Sequence, residues 1–227
     1  MNAEEFKTLS SHLIDIASKI PLRWGSIQND NADAKINMFS CNTFSSLETL
    51  LINKPEELTN YFKKRWFLWQ CAKCDEYLFY KHIDVQKNPN TRDQNWDFQF
   101  FENEELKFDL KGTIIPSKIK EKLENNDLPI PNEIIKFYFN KQSKGIRDNI
   151  QNRLFIVHIP YIKKNENSLR VNYQAKAIIY NNYIAFLKLN SNYKFFNFNT
   201  KLVDIIYLIE QSDGTITSEF ASKNNIN

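Results

Sequence analysis

Apolar and polar residues alternate most regularly between Trp96 and Thr113, where the chain reads W-D-F-Q-F-F-E-N-E-E-L-K-F-D-L-K-G-T. On both sides of a short acidic turn, phenylalanine or leucine takes every second position, with charged or amide residues between. A period of two is typical of a β-strand that buries one face. The stretch therefore predicts a β-hairpin whose core face carries Phe98, Phe100, Leu106, Phe108 and Leu110.

The register of this hairpin brings charged side chains together. If the chain folds about Asn103, Asp97 lies opposite Asp109, and directly opposed Cβ atoms are about 5 Å apart. Lys111, two positions further on, then joins both carboxylates on the same face. A slip of one residue would expose the whole apolar set, so we expect the register to be well specified.

Two carboxylates beside an ammonium group suit the metal-assisted hydrolysis of a phosphodiester. The carboxylates of Asp97 and Asp109 can share Mg²⁺, which prefers oxygen ligands. Lys111 can orient or deprotonate an attacking water, or neutralise charge on a phosphate. The alternative is an ordinary strand with a solvated charged face, since this motif also occurs by chance.

Periodicity along the rest of the chain predicts a mixture of helices and strands. Helices are expected over about 3–20, 45–53, 55–81, 116–124, 131–140 and 172–189. Besides the hairpin, strands are expected over 82–86, 154–159, 193–198 and 202–209. We expect a loop over 21–42 and a loose tail after Ser212.

Composition favours one folded domain. The chain has 227 residues, of which 42% are hydrophobic and 14% aromatic, with only 4 glycines and 7 prolines. Such a chain can bury a sizeable core and has little material for long linkers. We expect a single domain over 1–227, with its core at about 55–160, N-terminal helices over 1–54 and a C-terminal extension over 161–227.

Charge and targeting signals exclude few classes of protein. The net charge of +3 is too small to indicate a polyanionic partner by itself. No signal peptide is visible, and no stretch approaches the roughly 18 apolar residues that span a bilayer. The 3 cysteines, an odd number, fit a reducing compartment. We therefore expect a cytoplasmic protein that does not enter a membrane.

Two polar loops have the composition of a DNA-contacting surface. Their basic and amide side chains can bind phosphates and read base edges. The first loop offers Lys141, Gln142, Ser143, Lys144, Arg147, Asn149, Asn152 and Arg153, and the second offers Asn88, Asn90 and Arg92. Solvated surface loops would have the same composition, so this alternative stays open.

The predicted order of elements from 55 to 159, together with Asp97 and Asp109-Leu110-Lys111, resembles the PD-(D/E)xK nuclease superfamily. That superfamily includes most type II restriction endonucleases, among them rare-cutting enzymes of similar length. The resemblance implies that Asp97, Asp109 and the Leu110 carbonyl hold Mg²⁺ and that Lys111 is the catalytic lysine. It also implies that Glu76, on the preceding helix, binds a second ion or supports Lys111. Trp96 stands where the family name has proline, and Asp109 stands where glutamate is commoner.

The resemblance implies an α/β fold with a restriction-endonuclease-like core, namely a helix, a three-stranded meander, a helix and a strand. N-terminal helices and C-terminal α+β elements would be added to this core. The expected function is that of a Mg²⁺-dependent, site-specific endonuclease that cuts double-stranded DNA as a homodimer. Two alternatives remain: a structure-specific repair or recombination nuclease, and a DNA-binding module that has kept the fold without the activity.

Overall fold

The computed structural model describes residues 1–23, 36–90, 93, 95–121, 123, 127–141, 152–190 and 193–225. In these residues the helices are α1 (Ala3–Ile16), α2 (Phe44–Leu50), α3 (Glu56–Tyr80), α4 (Ser117–Lys120), α5 (Pro131–Lys141), α6 (Glu166–Arg170) and α7 (Tyr173–Leu189). The strands are β1 (Val85–Lys87), β2 (Phe98–Phe100), β3 (Lys107–Ile114), β4 (Asn152–Ile159), β5 (Phe196–Phe198), β6 (Lys201–Glu210) and β7 (Ile216–Phe220). The protein is therefore of the mixed α/β class.

The long helices begin where local sequence signals place them. Before α1, Asn2 Oδ1 accepts the Glu5 amide at 2.9 Å, and Glu5 Oε2 accepts the Asn2 amide at 2.8 Å. This reciprocal pair is a capping box. Helix α3 follows Pro55 and has Glu56 and Glu57 in its first turn, where the helix dipole favours carboxylates. The helices predicted over 3–20 and 55–81 are confirmed, with ends that differ by a few residues.

By its internal contacts the chain divides into two compact units, Met1–Cys74 with Ile162–Tyr173, and Asp75–Tyr161 with Gln174–Asn227. The expectation of a single domain over 1–227 with its core at about 55–160 stays a prediction. Helix α3 contributes to both units, because the boundary falls inside it. Every predicted catalytic and metal-binding residue belongs to the second unit.

The first unit is held together by buried polar contacts. Lys64 of α3 is 3% exposed, and its Nζ donates to Glu166 Oε1 at 2.9 Å and to Asn167 Oδ1 at 2.6 Å. Trp66 Nε1 donates to the Cys41 carbonyl at 2.8 Å. These contacts tie α3 to α6 and to the segment that precedes α2.

The second unit is built on a mixed seven-stranded sheet in the order β1-β2-β3-β4-β6-β5, with β7 also paired to β6. Strands β1 to β3 form an antiparallel meander, whereas β3, β4 and β6 are parallel to one another. Residues 154–157 of the central strand β4 are 0% exposed, as expected for a strand buried on both faces. The predicted order of helix, three strands, helix and strand is present, and β6 continues the sheet beyond it.

The hairpin has the register predicted from its sequence. Phe98 pairs with Phe108, and Gln99 pairs with Lys107. The regular ladder ends there, because the Asp97 amide donates to the carbonyl of Phe108, at 2.8 Å, and not to that of Asp109. The predicted register is therefore confirmed for Phe98 and Gln99, while the direct pairing of Asp97 with Asp109 stays a prediction.

The expectation that only the apolar face of the hairpin is buried is wrong. On the polar face, Gln99 is 5% exposed and Asp109 is 3% exposed. Helix α5 covers this face of the sheet, with Phe139 packed edge-to-face on Phe155 at a centroid distance of 6.1 Å. Phe155 is the β4 neighbour of Lys111. The candidate carboxylates therefore lie in a partly dehydrated environment.

The C-terminal segment is ordered, in contrast to the predicted loose tail. Residues Ile216–Phe220 form β7, which is antiparallel to β6, and a 3₁₀ helix follows at Ala221–Asn225. Gly214, with φ of 82°, makes the turn that connects the two strands, and the Gln211 amide donates to the Thr215 carbonyl at 2.8 Å. Strands β5, β6 and β7 of the 161–227 region consequently belong to the sheet, in which β6 lies beside the central strand.

Candidate active site

The last turns of α3 carry Glu76 to the hairpin. Phe79, one turn later on the same helix, stacks on Phe98 at a centroid distance of 4.7 Å and on Tyr180 of α7 at 4.3 Å. Phe98 directly follows Asp97, so this aromatic stack anchors the end of α3 at the start of β2. The carboxylate of Glu76 consequently lies within electrostatic range of Asp97.

A buried ion pair fixes the same end of α3 from another side. Lys176 of α7 is 1% exposed, and its Nζ donates to both oxygens of Asp75, at 2.8 and 3.0 Å. The Tyr180 hydroxyl also donates to Asp75 Oδ1 at 3.2 Å. Because Asp75 precedes Glu76, these contacts restrain the backbone that presents Glu76.

Asp97 is held by both its backbone and its side chain. Its carbonyl accepts the Asn88 amide at 2.9 Å, which fixes it beside the residue that follows β1. Its Oδ2 accepts the Leu110 amide of β3 at 2.7 Å. The carboxylate is therefore directed across the hairpin toward the second acidic residue.

Asp109 and Lys111 form the second half of the site. They are two residues apart on β3 and share a face, and Lys111 Nζ donates to Asp109 Oδ1 at 2.7 Å. The side chain of Asp109 is 5% exposed, whereas that of Lys111 is 36% exposed. The structure thus joins a fixed carboxylate to an ammonium group that solvent can reach, as the predicted hairpin requires.

Arg153 of β4 is a second cation beside Asp109, in addition to Lys111. The sequence analysis predicted a DNA contact for it instead. It is the parallel-register partner of Asp109, and its Nε lies 3.2 Å from Asp109 Oδ2. This distance defines an ion pair, although Oδ2 accepts no hydrogen bond of good geometry from the described residues. Asp109 therefore has a cation beside each of its carboxylate oxygens.

Burial and mutual repulsion change the proton affinity of the other two carboxylates. Burial, together with the charges of Asp97 and Asp109, raises the pKa of Glu76 to about 8 against the opposing effect of Lys111. Burial and the nearby Asp109 also raise the pKa of Asp97 to about 6, against the opposing effects of Lys111 and the Leu110 amide. Strongly shifted carboxyl groups around one point are typical of functional sites.

The ligand atoms of this site fit a hard divalent cation. Mg²⁺ in proteins commonly uses one or two carboxylates and keeps several waters. Asp97 and Asp109 could supply the carboxylates and Leu110 a carbonyl oxygen, while burial, followed by the charge of the neighbouring carboxylates, raises the pKa of Glu76 and of Asp97. No cluster of three or more His, Cys, Asp or Glu side chains in a ligating arrangement is found in the part of the chain that is described.

The residues predicted to contact DNA from the loop after β1 have mixed environments. Asn88 is 6% exposed; its Nδ2 donates to the Trp96 carbonyl at 2.9 Å and to Asp93 Oδ2 at 3.2 Å, and its Oδ1 accepts the Asn90 amide at 2.9 Å. These contacts shape the loop and oppose a DNA contact by Asn88. Asn90 is exposed. Arg92 lies outside the described residues.

Two of the residues predicted from the basic loop are buried. Asn152 is 8% exposed; its Nδ2 donates to the Glu105 carbonyl at 2.6 Å, and its Oδ1 accepts the Leu202 amide at 2.9 Å. Arg153 is 3% exposed. Both side chains are buried because β4 begins at Asn152, two residues earlier than expected. Their burial argues against the predicted DNA contacts at these two positions. Gln142, Ser143, Lys144, Arg147 and Asn149 lie outside the described residues, as does the side chain of Lys141.

Sequence reasoning missed Arg153 as a neighbour of Asp109 and missed the pair formed by Lys176 and Asp75. A signal for Arg153 existed, since it directly precedes the apolar run at 154–159, and a buried strand that follows a hairpin can pair beside it. Nothing in the spacing of Asp75 and Lys176, 101 residues apart, indicated their contact.

Comparisons with protein-family models, with curated proteins and with solved structures find no match to this chain. Among the helices described, none is both long and apolar enough to cross a membrane.

Proposed function

We propose that this protein is a Mg²⁺-dependent endonuclease of the PD-(D/E)xK type that hydrolyses phosphodiester bonds in double-stranded DNA. The observation that carries the proposal is the convergence of Asp97, Asp109 and Lys111. Asp97 Oδ2 accepts the Leu110 amide at 2.7 Å, and Lys111 Nζ donates to Asp109 Oδ1 at 2.7 Å. If the charges along the strand were distributed by chance, nothing would favour the approach of Asp97, Asp109 and Lys111 to one another and to Glu76.

The order of elements supports the same proposal independently of the site. Along the chain, a helix that carries an acidic residue is followed by an antiparallel meander with Asp97 and Asp109, a further helix and a parallel strand. This is the order that the nuclease resemblance implies. Fold likeness alone does not define a function, so the proposal depends on the residues of the site.

Each residue has a definite task in the proposed reaction. Asp97, Asp109 and the Leu110 carbonyl would hold Mg²⁺, which when bound stabilises charge on the phosphate and lowers the pKa of water. Lys111, with the most accessible charge of the group, orients the attacking water or neutralises the developing charge on phosphate, and it can accept the proton of the water only after its ammonium group has released one to solvent. Glu76, with a pKa of about 8, would hold a proton at neutral pH in the absence of the ion and could release it when a second cation binds.

We further propose site-specific cleavage by a homodimer, as in type II restriction endonucleases. A symmetric pair of identical sites matches the two strands of palindromic duplex DNA. The three described cysteines, Cys41, Cys71 and Cys74, are buried and unbridged, which supports the proposed cytoplasmic location.

A digest of long DNA with Mg²⁺ tests this function. Supercoiled plasmid, a long linear viral genome and a branched duplex are each incubated with the purified chain and either Mg²⁺ or a chelator. Discrete fragments from the linear genome support the site-specific enzyme, whereas nicking confined to the branched duplex supports a structure-specific repair nuclease. Binding without cleavage of any substrate would leave only a DNA-binding module and would refute the proposed activity.

A further inference from the structure

Arg153 occupies an unusual position for a residue that sequence reasoning placed on the DNA-binding surface. Its side chain is 3% exposed, and its Nε lies 3.2 Å from Oδ2 of Asp109. Its guanidinium carbon lies 4.7 Å from the ring centroid of Phe139 and 5.7 Å from that of Phe155. The aromatic rings favour a cation at this point and restrict its movement.

The two cations beside Asp109 differ in their freedom to move. Lys111 contacts Oδ1 and has a side chain that is 36% exposed, whereas Arg153 contacts Oδ2 from a buried position. A flexible ammonium group at the surface can leave a carboxylate oxygen when another cation or a phosphate arrives. The buried guanidinium of Arg153 packs against two aromatic rings, which restrict its movement.

We propose that Arg153 is a positioning residue of the nuclease site, which fixes the carboxylate of Asp109 through Oδ2 and leaves Oδ1 for the exchange between Lys111 and a divalent cation. This inference rests on the proposed function and deepens it. Arg153 does not touch DNA; it acts through Asp109. Parallel pairing of β3 with β4 supplies this contact, because the register sets Arg153 directly beside Asp109.

Removing this arginine should have opposite effects on metal affinity and on cleavage. In Arg153→Met a fixed positive charge near the ion disappears, so the affinity for a divalent cation should rise by at least about threefold. The carboxylate of Asp109 also loses its anchor, so cleavage at saturating Mg²⁺ should fall by about 10- to 100-fold. Arg153→Lys keeps the charge, so its metal affinity should stay near that of the unchanged chain, with part of the cleavage restored.

The experiment combines three measurements on each variant. Mn²⁺ binding is followed by isothermal titration calorimetry without DNA, cleavage by single-turnover rates at saturating Mg²⁺, and folding by thermal melting. Lys64→Met is the matched control, because it removes a buried lysine from an ion pair with Glu166 in the first unit. We expect this control to lower the melting temperature and to leave Mn²⁺ affinity unchanged.

A fourth measurement separates positioning from DNA contact. Duplex binding in Ca²⁺ is measured over a range of salt concentrations for the unchanged chain and for Arg153→Lys and Arg153→Met. If Arg153 positions Asp109, the slope of log K against log salt stays unchanged. A slope lower by about one unit would show a phosphate contact and overturn the inference.

The remaining outcomes are also decisive. Arg153 variants that bind Mn²⁺ and cleave DNA like the unchanged chain would overturn the positioning role while leaving the proposed function intact. If Arg153→Met fails to fold, a partial loss of cleavage by folded Arg153→Lys with unchanged DNA affinity supports the role, and full activity overturns it. An unchanged chain that neither binds Mn²⁺ nor cleaves DNA would refute the proposed function, and the inference with it.

Discussion

Neutralising Glu76 should stabilise the metal-free protein at alkaline pH. Glu76→Gln keeps the size and polarity of the side chain and removes its charge. Burial raises the pKa of Glu76 from the ordinary value of 4.5 to about 8. Between these values the folded chain binds a proton that the unfolded chain has released, so the stability of the folded state falls as pH rises through this window.

The size of the effect follows from the shift. Each pKa unit corresponds to about 1.4 kcal/mol, so the rise from 4.5 to about 8 would cost at most about 4–5 kcal/mol once Glu76 is ionised. Glu76 keeps some contact with solvent, which screens its charge and lowers the expected cost to about 2 kcal/mol. For a chain of this size, about 2 kcal/mol corresponds to roughly 4–8 °C in melting temperature.

Thermal melts in the presence of a chelator, at about pH 5 and about pH 9, measure this effect directly. We expect Glu76→Gln to melt near the unchanged chain at the lower pH and above it at the higher pH. Glu56→Gln is the control, because Glu56 is exposed in the first turn of the same helix. Equal melting temperatures of Glu76→Gln and the unchanged chain at the higher pH would refute the argument that burial of the Glu76 carboxylate destabilises the fold.

Three further predictions concern other residues. Lys111→Arg should change the free energy of unfolding by no more than about 0.5 kcal/mol. Its single-turnover cleavage rate should fall about 10²- to 10⁴-fold, because arginine cannot readily give up a proton. An unchanged rate contradicts the catalytic role. Tyr183→Phe removes the hydroxyl that donates to Asp204 Oδ2 at 2.8 Å, and burial raises the pKa of Asp204 to about 7. Its cost in urea denaturation should therefore be larger at about pH 8.5, where the lost bond is to a charged carboxylate and is worth about 1.5–3 kcal/mol, than at about pH 5.5; equal costs at both pH values would contradict the assignment. Lys144→Ala should lower the slope of log K against log salt for duplex binding by about one unit, and an unchanged slope with unchanged affinity would place Lys144 outside the interface.

The hairpin was predictable because its information is local. Alternation fixes which face each residue takes, and a short turn leaves one register that buries the apolar set. The pairing of Phe98 with Phe108 follows from these two constraints, and with it the approach of Asp97 to Asp109. The resemblance to a nuclease core added Glu76 to the predicted site. Glu76 comes close enough to Asp97 for the two charges to interact because Phe79, on the same helix, stacks on Phe98.

The features that could not be predicted depend on contacts between distant segments. Asp109 is buried because α5 covers this face of the sheet through Phe139. Strand periodicity carries no information on such a covering helix and therefore suggested a solvated face. The position of Arg153 depends on the parallel register of β3 with β4. The C-terminal strand was missed because its turn, at Asp213 and Gly214, precedes a short run rich in threonine and serine that lacks a strong apolar signal.

The most direct test of the account is the effect of each metal-binding aspartate on cleavage and on DNA binding. Asp97→Ala and Asp109→Ala are compared with the unchanged chain for cleavage in Mg²⁺ and for duplex binding in Ca²⁺, which should support binding without efficient turnover. We expect both variants to lose cleavage while DNA affinity is kept or increased, because each substitution removes a negative charge near the phosphate. Cleavage by either variant at more than about a tenth of the unchanged rate would contradict the central claim, since metal-ligand loss normally abolishes the reaction.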